Sequence, residues 1–356
     1  MTSNRIDKVK SKCLENNLQG IYITNITNVR YLTGFSGSAG SVLILEDQSH
    51  FFTDGRYTEQ VKDQVKNCNI HIVGGSHIEG IEKNNLLKSG IKIGFESDHI
   101  TFSSFEILKN KLSQVDWEST SNIVELIAAV KDAEEVESLK TAIEITDIVF
   151  DEIIPIIKEG ITENEIAAQI SYKFKQNGAE GDSYDPIVAS GWRSALPHAT
   201  PTSKILEKGD FVVMDFGALY NGYHADMTRT IVIGSPTEKH KEIYNIVLES
   251  QLAGIEIAKA GVSGADVDNA CRTIINNAGY KEYFNHSTGH GIGLEVHTHP
   301  RISSVNKEPL LENYVVTIEP GIYLPKWGGV RIEDDCWITN KKCIPLNRSS
   351  KELISL

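Results

Sequence analysis

A repeat with a period of about one hundred residues constrains this chain more than any other feature. In TENEIAAQISYKFKQNG a capping box runs from Thr162 to Glu165, and the helix it opens stops at Gly178. In SGADVDNACRTIINNAG, Ser263 caps a second helix 101 residues later, and Gly279 ends it. Two β-rich stretches follow at matching distances, DFVVMDFGALYNGYHADMTRTIVIG and NYVVTIEPGIYLPKWGGVRIEDDCWIT. Asp215 and Glu319 are 104 residues apart, Asp226 and Glu333 are 107 apart, and His198 and His297 are 99 apart. Each half reads as helix, helix, histidine-bearing loop and a hairpin with two carboxylates. The repeat is carried by pattern rather than residue identity. It predicts a pseudo-twofold domain whose carboxylates converge where the halves meet.

Each half opens on a longer helix. From Asp132 onward, Val136, Leu139, Ile143, Thr146, Phe150 and Ile153 recur every three or four residues and share one helical face, with Gly160 closing the segment. In SPTEKHKEIYNIVLESQLAGIEIAKAG, Ser235 is expected as the cap, Pro236 at the first helical position and Glu238 as the far side of a capping box. The first third of the chain differs. GIYIT (20–24), SVLILED (41–47), HFFTD (50–54), NIHIV (69–73) and IKIGFE (91–96) read as strands, between helical patterns at 4–16, 56–67 and 101–113. The expected organisation is a smaller α/β domain over residues 1–125 and an α+β domain over 126–356.

The formal charge of −13 argues against nucleic acid or an anionic membrane surface as a partner. No stretch approaches the ~20 apolar residues of a membrane span, and MTSNRIDKVKSKCLENN lacks the apolar run of a signal peptide. The five cysteines are odd in number and form no C-x-x-C, which fits reduced thiols in a cytoplasmic protein.

The chemistry lies in the hairpins. A two-residue turn at Asn221-Gly222 pairs Tyr220 with Tyr223 and sets Gly217 opposite Asp226. Asp215 and Asp226 then become diagonal neighbours on one face. Two like charges held so close repel, and burial worsens it; divalent cations relieve this, and so does protonating one acid. Taken singly, Glu319 in TIEPG and Glu333 in VRIED would read as strand-end surface acids. Their places match those of the first pair. Carboxylates with one imidazole suit Mn, Fe, Co or Zn rather than a thiol-seeking metal, and two such ions about 3.5–4 Å apart make a hydrolytic centre. STGHGIGLEVHTHP supplies the imidazoles. Glycines 289, 291 and 293 flank His290 and let the backbone approach closely, which favours it as the ligand. His297 is placed to donate a hydrogen bond into the same cavity, as is His198 in SGWRSALPHATP. His299 reads as a loop residue, and His286 has no distinguishing context. No amphipathic helix with a clear start follows G-x-G-x-G, which weakens a dinucleotide-loop reading.

Together MDFGALYNGYHADMTRT, STGHGIGLEVH, TIEPGIY and GGVRIEDD resemble the M24 metallopeptidase family, with its pita-bread fold, and within it the Xaa-Pro aminopeptidases and Xaa-Pro dipeptidases. The resemblance covers nearly the whole chain: YLTGFSGSAG and FTDGRYTEQ are similar to the creatinase-type N-terminal domain of the prolyl-specific branch. It implies a pseudo-twofold pita-bread catalytic domain preceded by the smaller α/β domain. It also implies Asp215, Asp226, His290, Glu319 and Glu333 as ligands of two divalent ions, Mn²⁺ first, with Co²⁺ or Zn²⁺ accepted by the same donors. SALPHA and EVH carry over the family's two catalytic-loop histidines to His198 and His297. Trp192 and His224 depart from the family pattern beside the cleft and leave substrate preference open.

The expected reaction is hydrolysis of an N-terminal Xaa-Pro bond in short proline-containing peptides by a metal-bridging hydroxide, in a homodimeric, cytoplasmic enzyme. Glu319 is expected as general base. His198 and His297 would donate to substrate and oxyanion. Arg331 would pair with a ligand carboxylate or bind a substrate carboxylate. The alternatives are a non-prolyl aminopeptidase on the same site, a non-catalytic peptide-binding module, and a creatinase-like hydrolase of a small C–N substrate. The sequence does not separate dipeptidase from aminopeptidase.

Overall fold

The computed structural model describes residues 2–356, which form two units meeting in sequence at Ala128 and Ala129. In the first unit the short apolar runs become a six-stranded mixed sheet, in the order Asn69–Val73, Ser49–Asp54, Ser41–Leu45, Gly20–Ile23, Lys92–Glu96, Asp116–Thr120. Its centre is buried on both faces, and Tyr22, Leu43, Phe52 and Ile93 pack with Leu108 of the helix Phe102–Lys111. The helix expected over 56–67 is broken. Asp54 accepts from Arg56 N and caps a single tight turn, Gly55–Tyr57, before a short helix Gln60–Gln64. Helices Ile26–Thr33 and His77–Lys83 and the polar edge strand Asp116–Thr120 carry too few apolar residues to show a period.

The second unit shows the expected duplication. Helices Ala133–Ile153 and Glu163–Gln176 lead the first half, and Glu238–Ile257 and Gly264–Asn277 lead the second. Capping boxes form at Asp132, Thr162 and Ser263. Two boundaries differ from expectation. The first helix ends at Ile153 in a 3-10 turn containing Pro155, which has no N–H to continue the ladder; Gly160 lies in the following turn at φ 93°. In the third helix Thr237, not Ser235, is the cap. Its hydroxyl accepts from His240 N while His240 Nδ1 accepts from Thr237 N, so an imidazole takes the place expected of Glu238.

Each acid-bearing hairpin splits between two sheets. Phe211–Phe216 pairs with Met227–Val232, while Ala218–Tyr220 pairs with Tyr223–His224, all in the register set by Asn221-Gly222. Likewise Val315–Ile318 pairs with Asp334–Ile338, while Gly321–Leu324 pairs with Gly328–Arg331. The halves are stitched together along their second arms. Glu333 N donates to Thr228 O, Thr230 Oγ1 donates to Arg331 O, and Arg229 pairs with Asp334. An apolar cluster including Phe211, Val232, Tyr244, Val247, Ile322 and Val330 fills the space behind this seam. All five cysteines are free, and among the described residues no helix is long and apolar enough to cross a membrane.

Lys131, just before the first cap, is 3 % exposed and donates to Ala129 O at 3.1 Å. Burial lowers its pKa from 10.5 to about 8, against the pull of Glu135. The unfolded chain therefore binds more protons than the folded one between about pH 8 and 10.5, so this group makes stability rise with pH across that window. The stability gap between Lys131→Met and wild type is expected to be flat below pH 8 in denaturant melts. It should then drift by about 3 kcal/mol toward the wild type by pH 10.5. A gap flat throughout would place the amine at its ordinary pKa.

Candidate metal centre

Strand Phe211–Phe216 is buried at every residue, so the carboxylate of Asp215 is carried into the interior by its neighbours. Its register partners are Thr228 on one side and Ile187 on the other. His290 arrives on the strand Gly289–Gly291, wedged between Thr298–Ile302 and Val315–Ile318. A Cβ at Gly289 would lie 2.0 Å from Thr317 O, and one at Gly291 would lie 1.9 Å from His299 O. The glycines either side of the imidazole are thus required by close backbone approach.

The residues meet in a cavity of about 370 Å³ lined by Asp215, Asp226, His290, Glu319 and Glu333 together with Tyr184, His198, His286, His297, Arg301 and Arg331. Donor atoms of Asp226, His290 and Glu333 lie within 4.8 Å of one another. His290 Nε2 is 3.6 Å from Asp226 Oδ2 and 3.5 Å from Glu319 Oε1. Asp215 joins through Tyr184, whose hydroxyl contacts both Asp215 and Asp226. Every residue named from the sequence as a ligand therefore borders one space.

The electrostatics of that space call for cations. Four carboxylates face one buried guanidinium, Arg331, which is 3 % exposed, and one exposed guanidinium, Arg301. Burial lifts the Asp226 and Glu333 carboxyls well above the usual carboxylate range, and neighbouring carboxylates add to it. Burial raises Glu319 to about 7, opposed by Arg331. The His290 ring is held neutral, its pKa lowered to about 3 by burial. Its Nδ1 sits 3.1 Å from Gly291 O, so Nδ1–H donates there and the Nε2 lone pair faces carboxylate oxygens, with no donor between them. Tyr184 has one proton for two carboxylates. An acceptor-only shell of oxygens and one imidazole nitrogen fits hard or borderline divalent ions.

His198 and His297 are both exposed on the cavity wall, and the His297 ring stands edge-on to His290 at 4.3 Å. Arg331 donates to Asp215, to Thr228 Oγ1 at 2.9 Å, to Tyr323 OH at 2.9 Å and to Pro197 O at 3.2 Å. Of the two roles considered for it, the contacts match the pairing with a carboxylate of the expected ligand set, that of Asp215. Trp192 is exposed on the 3-10 turn Gly191–Ala195, and His224 bonds Ser183 Oγ; neither is among the lining residues. His299 lies in the strand Thr298–Ile302, not in a loop.

Three lining residues escaped the sequence reading. With Nδ1–H donating to Ser287 O at 2.7 Å, His286 Nε2 accepts a hydrogen bond from the Tyr323 hydroxyl at 2.9 Å; burial lowers its pKa to about 3. Its only signal was membership of a histidine-rich stretch. Tyr184 in GDSYDP had none. Arg301 had none either, and among the described residues no acidic side chain forms an ion pair with it in the cavity.

The profile of metallopeptidase family M24 matches residues 137–340, and that of the creatinase/prolidase N-terminal domain matches residues 5–130. The chain is 40 % identical to an Xaa-Pro dipeptidase of Pyrococcus furiosus, over 98 % of this chain and 99 % of that protein. It superposes on the structure of an Xaa-Pro dipeptidase from Bacillus anthracis with a TM-score of 0.97, at 42 % identity and covering 100 % of both chains. The structure of an X-Pro aminopeptidase from Thermotoga maritima matches at a TM-score of 0.90 and 40 % identity, covering 96 % of this chain and 98 % of that one.

Mn²⁺ or Co²⁺ added to chelator-treated protein is expected to raise its melting temperature, by linkage of about 2.7 kcal/mol at a hundred times Kd. Glu333→Gln should lose most of that rise. A melting temperature indifferent to both ions would show that the acidic cluster does not hold cations.

Proposed function

The chain belongs to metallopeptidase family M24, with a creatinase/prolidase N-terminal domain, and from that premise we propose that it hydrolyses the Xaa-Pro bond of short peptides, dipeptides first. The observation that carries this is the convergence of four carboxylates and a neutral imidazole on one cavity of about 370 Å³. Asp215, Asp226, His290, Glu319 and Glu333 would hold two divalent ions, Mn²⁺ before Co²⁺ or Zn²⁺. Such ions supply Lewis acidity to the scissile carbonyl and make the attacking water more acidic.

The chain's own groups do the rest. Glu319, with its side chain 16 % exposed, is more open to the cavity than Asp215 at 12 % or Asp226 at 7 %. It is placed to take the water's proton and return it to the leaving proline nitrogen. His198 and His297 donate to the substrate and to the oxygen on which charge develops. Their exposure lets them meet the substrate without disturbing the buried acids. The unpaired Arg301 guanidinium suits a substrate's C-terminal carboxylate, which favours dipeptides over longer chains. An Xaa-Pro bond lacks the N–H that extended-backbone proteases hold, and nothing in this cavity depends on one. The five free thiols fit a reducing compartment, and a cytoplasmic homodimer completes the reading.

Leu-Pro, Leu-Ala and Leu-Pro-Gly-Gly offered in parallel with Mn²⁺ or Co²⁺ test the proposal. Leu-Pro alone is expected to turn over well. Comparable rates on Leu-Ala would defeat prolyl selectivity, and equal cleavage of the tetrapeptide would make the enzyme an aminopeptidase. Arg301→Ala should raise KM for Leu-Pro by roughly tenfold while changing kcat less, since it removes one charge-assisted contact.

A further inference from the structure

The strand Met227–Val232 carries a residue for which neither the family resemblance nor the ligand set provides a role. Thr228 is fully buried, two residues beyond Asp226 and directly opposite Asp215 in the ladder. Its carbonyl receives Glu333 N at 3.2 Å. Its hydroxyl lies 2.6 Å from Glu333 Oε2 and 2.9 Å from Arg331 Nε. With Glu333 ionised, as a carboxylate holding a cation is, these contacts leave one assignment of protons. A guanidinium nitrogen only donates, so Thr228 Oγ1 accepts from Arg331; the hydroxyl's single proton then goes to Glu333 Oε2. Arg331 in turn donates to Asp215. From Arg331 hydrogen bonds run both ways, to Asp215 directly and to Glu333 through Thr228, joining one carboxylate from each half of the domain. Thr230, on the same face two residues on, makes a reciprocal pair with the Arg331 backbone: Thr230 Oγ1 donates to Arg331 O at 2.9 Å and accepts from Arg331 N at 3.2 Å. The guanidinium is thereby held from its backbone as well as from its side chain.

We infer that Thr228 is a positioning residue that locks the rotamer of Glu333, occupying Oε2 and leaving Oε1 as the oxygen offered to the centre. It also keeps Arg331 aimed at Asp215. The inference rests on the reading of the cavity as a cation site. Without the hydroxyl, Arg331 Nε loses its acceptor and Glu333 Oε2 loses its donor in a space that admits no easy substitute, and both side chains gain freedom. Outer hydrogen bonds of this kind are commonly worth 10–100-fold in metal affinity.

Chelator-treated wild type, Thr228→Val and Thr228→Ser are titrated calorimetrically with Mn²⁺ and, separately, Co²⁺, with thermal melts as a control of fold. The valine variant keeps the shape and removes the hydroxyl, and its affinity for the ions should fall by about 10–100-fold. The serine variant keeps the hydroxyl and should stay within about threefold of wild type, below that range. If the valine variant does not fold, Thr228→Ala carries the same expectation with no added bulk. Wild-type affinity in the hydroxyl-free variant that folds, or an equal loss in the serine variant, would overturn the inference. A wild-type protein that binds neither ion would instead overturn the reading of the cavity itself.

Discussion

Four carboxylates held in a cavity walled by buried strands are the constraint around which the catalytic unit is built. Each alone would be a costly burial, and together they repel; in a medium less polar than water both penalties grow. Burial pushes the Asp226 and Glu333 carboxyls upward, with the charge of Asp215 adding to the first and that of Asp226 to the second. Two guanidiniums, only one of them buried, stand against the four acids. Folding therefore creates a negative pocket that protons or cations must neutralise. The surrounding strands keep the acids from relaxing apart. The all-buried strand Phe211–Phe216 cannot release Asp215 without exposing its apolar neighbours, and the Arg229–Asp334 pair, with both side chains 1 % exposed, pins the second arms of both hairpins together.

The duplication supplies symmetrical scaffolding for an unsymmetrical set of donors. In each half a short strand pairs with the first arm of the hairpin: Ile187–Ser190 beside Phe211–Phe216, and Gly289–Gly291 beside Val315–Ile318. The second half places His290 on that short strand. The first half has the sequence IVAS there, whose last three residues are buried, and packs Val188 into its own core. Of the two short strands, only the second brings an imidazole to the cavity. The first half answers with Tyr184, from the segment just before its short strand, whose phenol reaches both aspartates. Two copies of one supersecondary plan supply the acids in pairs; the nitrogen donor and the phenol each come from one half alone.

What the sequence made legible follows from what is local. Capping boxes at Thr162 and Ser263, the Asn221-Gly222 register and the spacing of the acids all depend on residues within a few positions of one another or on a repeat visible by counting. The displaced cap at Thr237 shows the limit: His240 substitutes for an acid through geometry that no residue preference announces. His286, Tyr184 and Arg301 were illegible for a related reason. His286 acquires meaning only through Tyr323, 37 residues on, and Tyr184 through Asp226, 42 residues on, while Arg301 acquires it only through its place on the cavity wall. Nothing near them in the chain distinguishes them from ordinary polar residues.

The two arginines of the cavity show how one side-chain chemistry is divided between structure and substrate. Arg331 comes from a strand inside the seam between the halves. Four of its five N–H groups are taken by Asp215, Thr228, Tyr323 and a main-chain carbonyl, so a bidentate carboxylate would have to displace bonds already made in a buried setting. Arg301 comes from the strand Thr298–Ile302, is exposed, and among the described residues has no acidic ion-pair partner. A guanidinium hydrated at a cavity wall exchanges water for a substrate carboxylate at much smaller cost than one taken from an internal network. The cavity thus carries one guanidinium tied into its architecture and another, exposed at its wall, that a ligand carboxylate could reach without breaking an internal network.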